Sequence, residues 1–174
     1  MQINWKKAVK IVLDHEGGEV DDPNDPGGHT NLGVTQSTLN RARQSTNLDL
    51  PEGVDDLTTT QAKKIYEHLY WYAVKADELP AGIDIFAFDM AVNQGVDTAM
   101  RSLQKAAGTT VDGIWGPKTN GAIRKISTKT LLIDFAARRA HHYAKLSDDL
   151  VDRFGFGWYR RLISTFQFSL MELQ

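Results

Sequence analysis

Residues 5–35 read WKKAVKIVLDHEGGEVDDPNDPGGHTNLGVT, and this stretch decides the fold. Asn4 stands where an N-cap is expected. Trp5, Ala8, Val9, Val12 and Leu13 recur at helical spacing, which predicts a helix over residues 5–15 with one apolar face. Gly17-Gly18 ends it, so Glu16 sits on the last turn, at the lip of whatever cleft follows. Two Asp-Pro steps and two Gly-Gly pairs forbid a regular helix through residues 17–35. Inside that loop, Thr30–Thr35 reads as a short strand or turn. Loops this constrained tend to be functional where they flank a cleft.

Outward from this stretch the pattern is helical almost throughout. Ser37–Ser45 reads as a short helix. Thr58 opens T-T-T-Q, a capping box, and a helix is expected from there to Val74. Its segment IYEHLYWYAV is rich in aromatics, which serve either core packing or sugar stacking by Tyr70, Trp71 or Tyr72. Leu79-Pro80-Ala81-Gly82 breaks the chain, and Asp84–Gln94 forms an apolar helix stopped by Gly95. Asp97 is expected to cap a helix to Ala107. Further helices are predicted near Thr119–Ile126, from Ser127 to Leu146, and through Trp158, Tyr159, Leu162, Ile163, Phe166 and Leu170. The class is mainly α.

Cleaving a glycosidic bond needs a proton donor to the leaving oxygen and a carboxylate or positioned water on the other face of the sugar. A Glu at a helix end, beside glycines that let a polymer approach, is well placed as the donor. Partial burial would raise its pKa and keep it protonated near neutral pH. Glu-Gly-Gly alone is a weak signal, since a Glu at a helix end followed by Gly is commonly only a solvated residue before a cap.

The loop adds to this. Glu16-Gly17-Gly18, then Asp22-Pro23-Asn24-Asp25-Pro26-Gly27-Gly28-His29-Thr30, Gly33 and Thr35, resembles glycoside hydrolase family 108, whose members read E-G-G, then D-P-x-D-P-G-G-x-T-x-x-G-x-T. Glu19 replaces the family's usual aromatic and Asp21 its usual Asn, which adds negative charge beside the site. The resemblance implies a lysozyme-like helical fold with a short loop or β element after the first helix. It also implies N-acetylmuramidase activity on peptidoglycan, with Glu16 as catalytic acid. The order Glu16, Asp25 nine residues on, then N-L-G-V-T, is similar to that of phage-type lysozymes. On that analogy Asp25 positions or activates water, and Asn31, or a hydroxyl on Thr30 or Thr35, helps to hold it. The alternative for Asp25 is an Asx-turn that shapes the loop. Glu16 acting alone would make the chain a lytic transglycosylase, and a non-catalytic wall-binding or secretion-associated protein is the other reading.

A second resemblance covers Asp89, Val92, Asn93, Gly95, Leu103, Gln104, Gly108, Asp112, Gly113, Gly116, Pro117 and Thr119, which are similar to the peptidoglycan-binding module that follows family 108 domains. It implies a muramidase region over residues 1–95 and a peptidoglycan-binding-like helical region over 96–174 packed against it. Most of these positions read as structural: Gly113 and Gly116 accept unusual backbone angles and Pro117 starts a helix. Asp89 and Asn93 share a helix face at i, i+4, which suits lining a glycan groove. With Tyr70 and Tyr72 they make up the expected substrate-binding set.

The chain carries 20 Lys/Arg against 22 Asp/Glu, so net charge names no partner. The charge is uneven, because residues 118–174 hold about 10 basic against 5 acidic side chains, which suits either solvated helix faces or approach to anionic envelope polymers. There is no cysteine, no metal-ligand spacing and no phosphate-cradling loop. His141-His142 adjoin Arg138-Arg139, but neighbouring helix residues point to different sides and no metal site is expected. No cofactor, no nucleic-acid role and no stable membrane insertion are expected. The partner is the peptidoglycan glycan strand, the protein a monomer. The amino terminus lacks the apolar core of a signal peptide, which suits synthesis in a bacterial host cytoplasm and release to the periplasmic wall through a holin.

Overall fold

The computed structural model describes residues 4–16 and 30–173. Helix α1 (Trp5–Glu16) leads to a two-stranded antiparallel hairpin, β1 (Thr30–Asn31) and β2 (Val34–Thr35), with Thr30 opposite Thr35 and Asn31 opposite Val34. Then come α2 (Gln36–Ser45), α3 (Thr59–Tyr66), α4 (Ile83–Gln94), α5 (Val96–Ala106), α6 (Pro117–Ile123), α7 (Thr128–Tyr143) and α8 (Asp148–Met171). The fold is mainly α and lysozyme-like, as the sequence leads one to expect.

Helix α4 is the centre of the molecule. Every residue from Ile83 to Ala91 is buried, and α1, α5, α7 and α8 all pack on it. A helix apolar on all sides forms only where neighbours cover every face. One core cluster runs from Ala8 and Val12 in α1, through Val34, Ile65, Phe86 and Phe88, to Leu131 and Phe135 in α7. Trp5, Trp71 and Phe88 meet edge to face, with centroids 5.4–5.6 Å apart, the arrangement that ring quadrupoles favour. Glycine is required where α4 begins: at Gly82 (φ +84°) a Cβ would collide with the Ser169 carbonyl of α8.

Several local expectations change in detail. Asn4 starts α1 through its carbonyl, which accepts from the Ala8 N–H at 2.8 Å. Its buried side chain does other work, because Nδ2 donates to Asp84 Oδ2 at 2.9 Å. The Thr58–Gln61 capping box is present. The helix it opens does not continue regularly to Val74, however: it widens into a π turn over Glu67–Trp71. One extra residue per turn re-aims the side chains that follow. Helix α5 starts at Val96 rather than behind an Asp97 cap, and Asp97 pairs instead with Arg101 at 2.8 Å. Gly113 has the expected positive φ of 78°, whereas Gly116 is extended at −165° and needs no glycine.

Candidate active site

Glu16 is the last residue of α1, and Val12, one turn earlier, is fully buried. The helix is therefore anchored up to the turn that presents the glutamate. Asp25 lies outside the described residues. The chain is described again at the hairpin, whose two turn residues, Leu32 (φ 53°) and Gly33 (φ 72°), are both left-handed, the conformation that matches the twist of a two-residue hairpin. Leu32 is an unusual choice for it. Its carbonyl accepts from the Tyr66 hydroxyl at 3.3 Å, which ties the turn to α3.

The polar residues of the hairpin hold backbone. The Asn31 amide nitrogen donates to the carbonyls of Val54 (3.0 Å), Asp55 (3.3 Å) and Leu57 (3.3 Å). It fastens the hairpin to the segment before α3. Thr35 is the N-cap of α2, its hydroxyl accepting from the Thr38 N–H at 3.1 Å. Thr30 lies across the hairpin from it and is half-buried. The structure thus brings Thr30, Asn31 and Thr35 together on one small element behind the α1 terminus in sequence.

The aromatic segment divides by face. Trp71 belongs to the core, 1% exposed, with its indole N–H donating to Asp77 at 3.0 Å. Tyr70 is half-buried and accepts a hydrogen bond from Arg41 of α2 at 2.8 Å, and the guanidinium carbon lies 5.5 Å from its ring centroid. Tyr72 is exposed, packs edge-on against His68 at 5.3 Å, and lines a depression with Thr46, Asn47 and Leu48. Tyr70 and Tyr72 therefore differ in exposure and in neighbours.

Asp89 and Asn93 do share a helix face, but that face looks inward. Asp89 is 1% exposed. It pairs with Arg139 Nη1 at 2.7 Å and Arg161 Nη2 at 2.9 Å, and it accepts from the Thr165 hydroxyl at 3.1 Å. Asn93 accepts from the Tyr143 hydroxyl at 2.7 Å. These two residues lock α4 to α7 and α8, and Asp89 lines no groove, because two guanidiniums close it in. Burial pushes the Asp89 carboxyl up, but Arg139 and Arg161 outweigh it and hold its pKa at about 2.

The D-G-x-x-G-P-x-T stretch has an equally internal logic. Gln104, itself fully buried, donates through Nε2 to Asp112, to the Ile114 carbonyl and to Thr119 at 2.8–3.1 Å, and accepts from the Gly113 N–H at 2.8 Å. One glutamine thus shapes the whole turn and seats the start of α6. The Ile114 N–H and Gln104 bonds hold the Asp112 carboxyl below its ordinary range.

Residues 9–95, half of the chain, match the model of the family described as Glycosyl hydrolase 108. The chain belongs to glycosyl hydrolase family 108. That membership makes it a glycoside hydrolase, of a family whose substrate class is peptidoglycan. The matched span runs from the middle of α1 to the end of α4, so it includes Glu16, Asp25, the hairpin and the aromatic segment. Among solved structures, the family 108 chain is similar to "Structure of Brucella abortus SagA", with 34% identity, a TM-score of 0.89, and coverage of 100% of this chain and 98% of that one. No curated protein matches it. Among the described residues, no helix is long and apolar enough to cross a membrane.

Proposed function

We propose that the chain is an N-acetylmuramidase of the endolysin type, hydrolysing the β-1,4 bond between N-acetylmuramic acid and N-acetylglucosamine in peptidoglycan. The observation that carries this reading is the family match over residues 9–95, which brackets Glu16 at the end of a core-anchored helix. Glu16, protonated, gives its proton to the glycosidic oxygen as the bond to the anomeric carbon breaks. Water, positioned or deprotonated by Asp25, adds to that carbon. The hairpin residues Thr30, Asn31 and Thr35 support the site by fixing the loop's far end, and Tyr70 and Tyr72 offer rings to the glycan. Residues 96–174 form a peptidoglycan-binding-like region beside a muramidase region over 1–95. The protein acts as a monomer on the periplasmic wall after release from the host cytoplasm through a holin.

Turbidity loss of purified peptidoglycan tests this reading with wild type and Glu16→Gln. We expect clearing by the first and a loss of about a hundredfold or more in the second, the lower end of what one general acid contributes. Equal clearing by both removes Glu16 from the chemistry. No clearing by wild type makes the protein a wall-binding one. Mass spectrometry of the fragments separates hydrolysis from transglycosylation, since only the latter leaves anhydro ends.

A further inference from the structure

Lys105, Arg138, His141, His142 and Lys145 converge with Ser102 on one cleft of about 170 Å³ between α5 and α7. The spacing builds it: 138, 141, 142 and 145 follow i, i+3, i+4, i+7, one face of α7 and its terminal turn, while 102 and 105 are i, i+3 on α5. The two helices pack against each other, so the faces meet. No carboxylate lines the cleft. Four surface cations elsewhere do meet a carboxylate: Lys7 with Glu172, Lys10 with Asp14, Arg43 with Glu52 and Arg101 with Asp97. The five cleft residues have none among the described residues.

Three permanent charges around one small space repel one another. The C-terminal ends of α5 at Ala106 and α7 at Tyr143 lie in the same region and soften that repulsion, because helix C-termini favour cations. They do not neutralise it. Burial, then Lys145 and Lys105, push the His142 imidazole below its ordinary value, leaving it a neutral ring with one N–H to donate. Ser102, buried beneath, adds a hydroxyl. The set matches a doubly charged group with several acceptor oxygens better than a singly charged carboxylate.

We propose that the α5–α7 cleft is a binding site for a phosphate group, carried either by a small free anion or as a phosphate ester on an envelope polymer. The site is separate from the hydrolytic one and does not depend on the muramidase reading.

Titration calorimetry of the full chain with pyrophosphate tests it. We expect saturable one-to-one binding that weakens about tenfold for each cation removed, hence about a hundredfold in Lys105→Gln/Lys145→Gln. Lys129→Gln, exposed at the opposite, N-terminal end of α7, should bind within about twofold of wild type, the outcome for a charge that makes no direct contact. These side chains are exposed, so circular dichroism should be unchanged. No saturation in wild type, an unaffected double variant, or equal weakening by Lys129→Gln overturns the proposal. So does uptake by phosphatidylglycerol vesicles without pyrophosphate binding. Retention on wall fragments, lost in the double variant and after hydrofluoric acid strips phosphate esters, assigns the phosphate to the wall. Pyrophosphate binding without such retention assigns it to a free anion.

Discussion

The carboxylate of Asp89 meets Nη1 of Arg139 at 2.7 Å, and both side chains are shut off from water, 1% and 0% exposed. Arg161 closes the other side of the carboxylate from α8. Removing one member leaves the others charged inside the protein. We expect Asp89→Asn to cost about 3–5 kcal/mol of stability, seen as a large drop in melting temperature. A drop of only a degree or two would show that water reaches the two arginines.

The same group sets an acid limit. Its carboxyl ordinarily titrates at 3.8 and is held at about 2 in the fold. A depressed carboxyl contributes its stability fully above the unfolded value and loses it as pH falls through the folded one. The stability gap between wild type and Asp89→Asn should therefore be constant above 3.8 and shrink between there and about 2. Denaturant melts at stepped pH measure it, and a gap that widens in acid would reverse the assignment.

Asn31 donates to three carbonyls, of which, among the described residues, Val54 alone is also met by a backbone donor, the Leu57 N–H. Asn31→Ala should lower stability by about 1–3 kcal/mol and loosen the hairpin against the segment before α3. Hydrogen exchange at Val34 and Thr35 is the sensitive measurement. Unchanged protection there would mean that the Tyr66 bond to Leu32 suffices alone.

For Asp25 we expect Asn to depress peptidoglycan cleavage by tenfold or more, the loss of one positioned base, with little change in melting temperature. A variant with full activity would make Asp25 a loop-shaping residue; one that melts early would do the same for a different reason.

What could be read in advance was local. The α1 periodicity, the Thr58–Gln61 box and the strand-or-turn character of Thr30–Thr35 each announce themselves within a few residues, although nothing marks Leu32 as a left-handed turn residue. The partners of Asp89 do not, because Arg139 and Arg161 lie 50 and 72 residues away and nothing on α4 marks which face meets them. The π turn was invisible because one added residue does not disturb apolar spacing until side chains are placed. The basic cleft is not evident from Arg138-Arg139 and His141-His142 as sequence neighbours, because adjacent helix residues point to different sides. Arg139 goes inward to Asp89, while 138, 141 and 142 share the adjoining face with Lys145. The place of Glu16 at the end of α1 follows from the residues before it, whereas the role proposed for it rests on its motif.

The all-round burial of α4 has a practical corollary for anyone trimming this enzyme. The family match stops at residue 95, which invites a shortened version ending there. Such a fragment would bare Phe86, Met90 and Leu-free flanks of α4 that α5, α7 and α8 normally cover, and would strand Asp89 without either guanidinium. It would precipitate rather than work as a miniature, so the carboxyl-terminal half is scaffold for the amino-terminal one as much as neighbour to it.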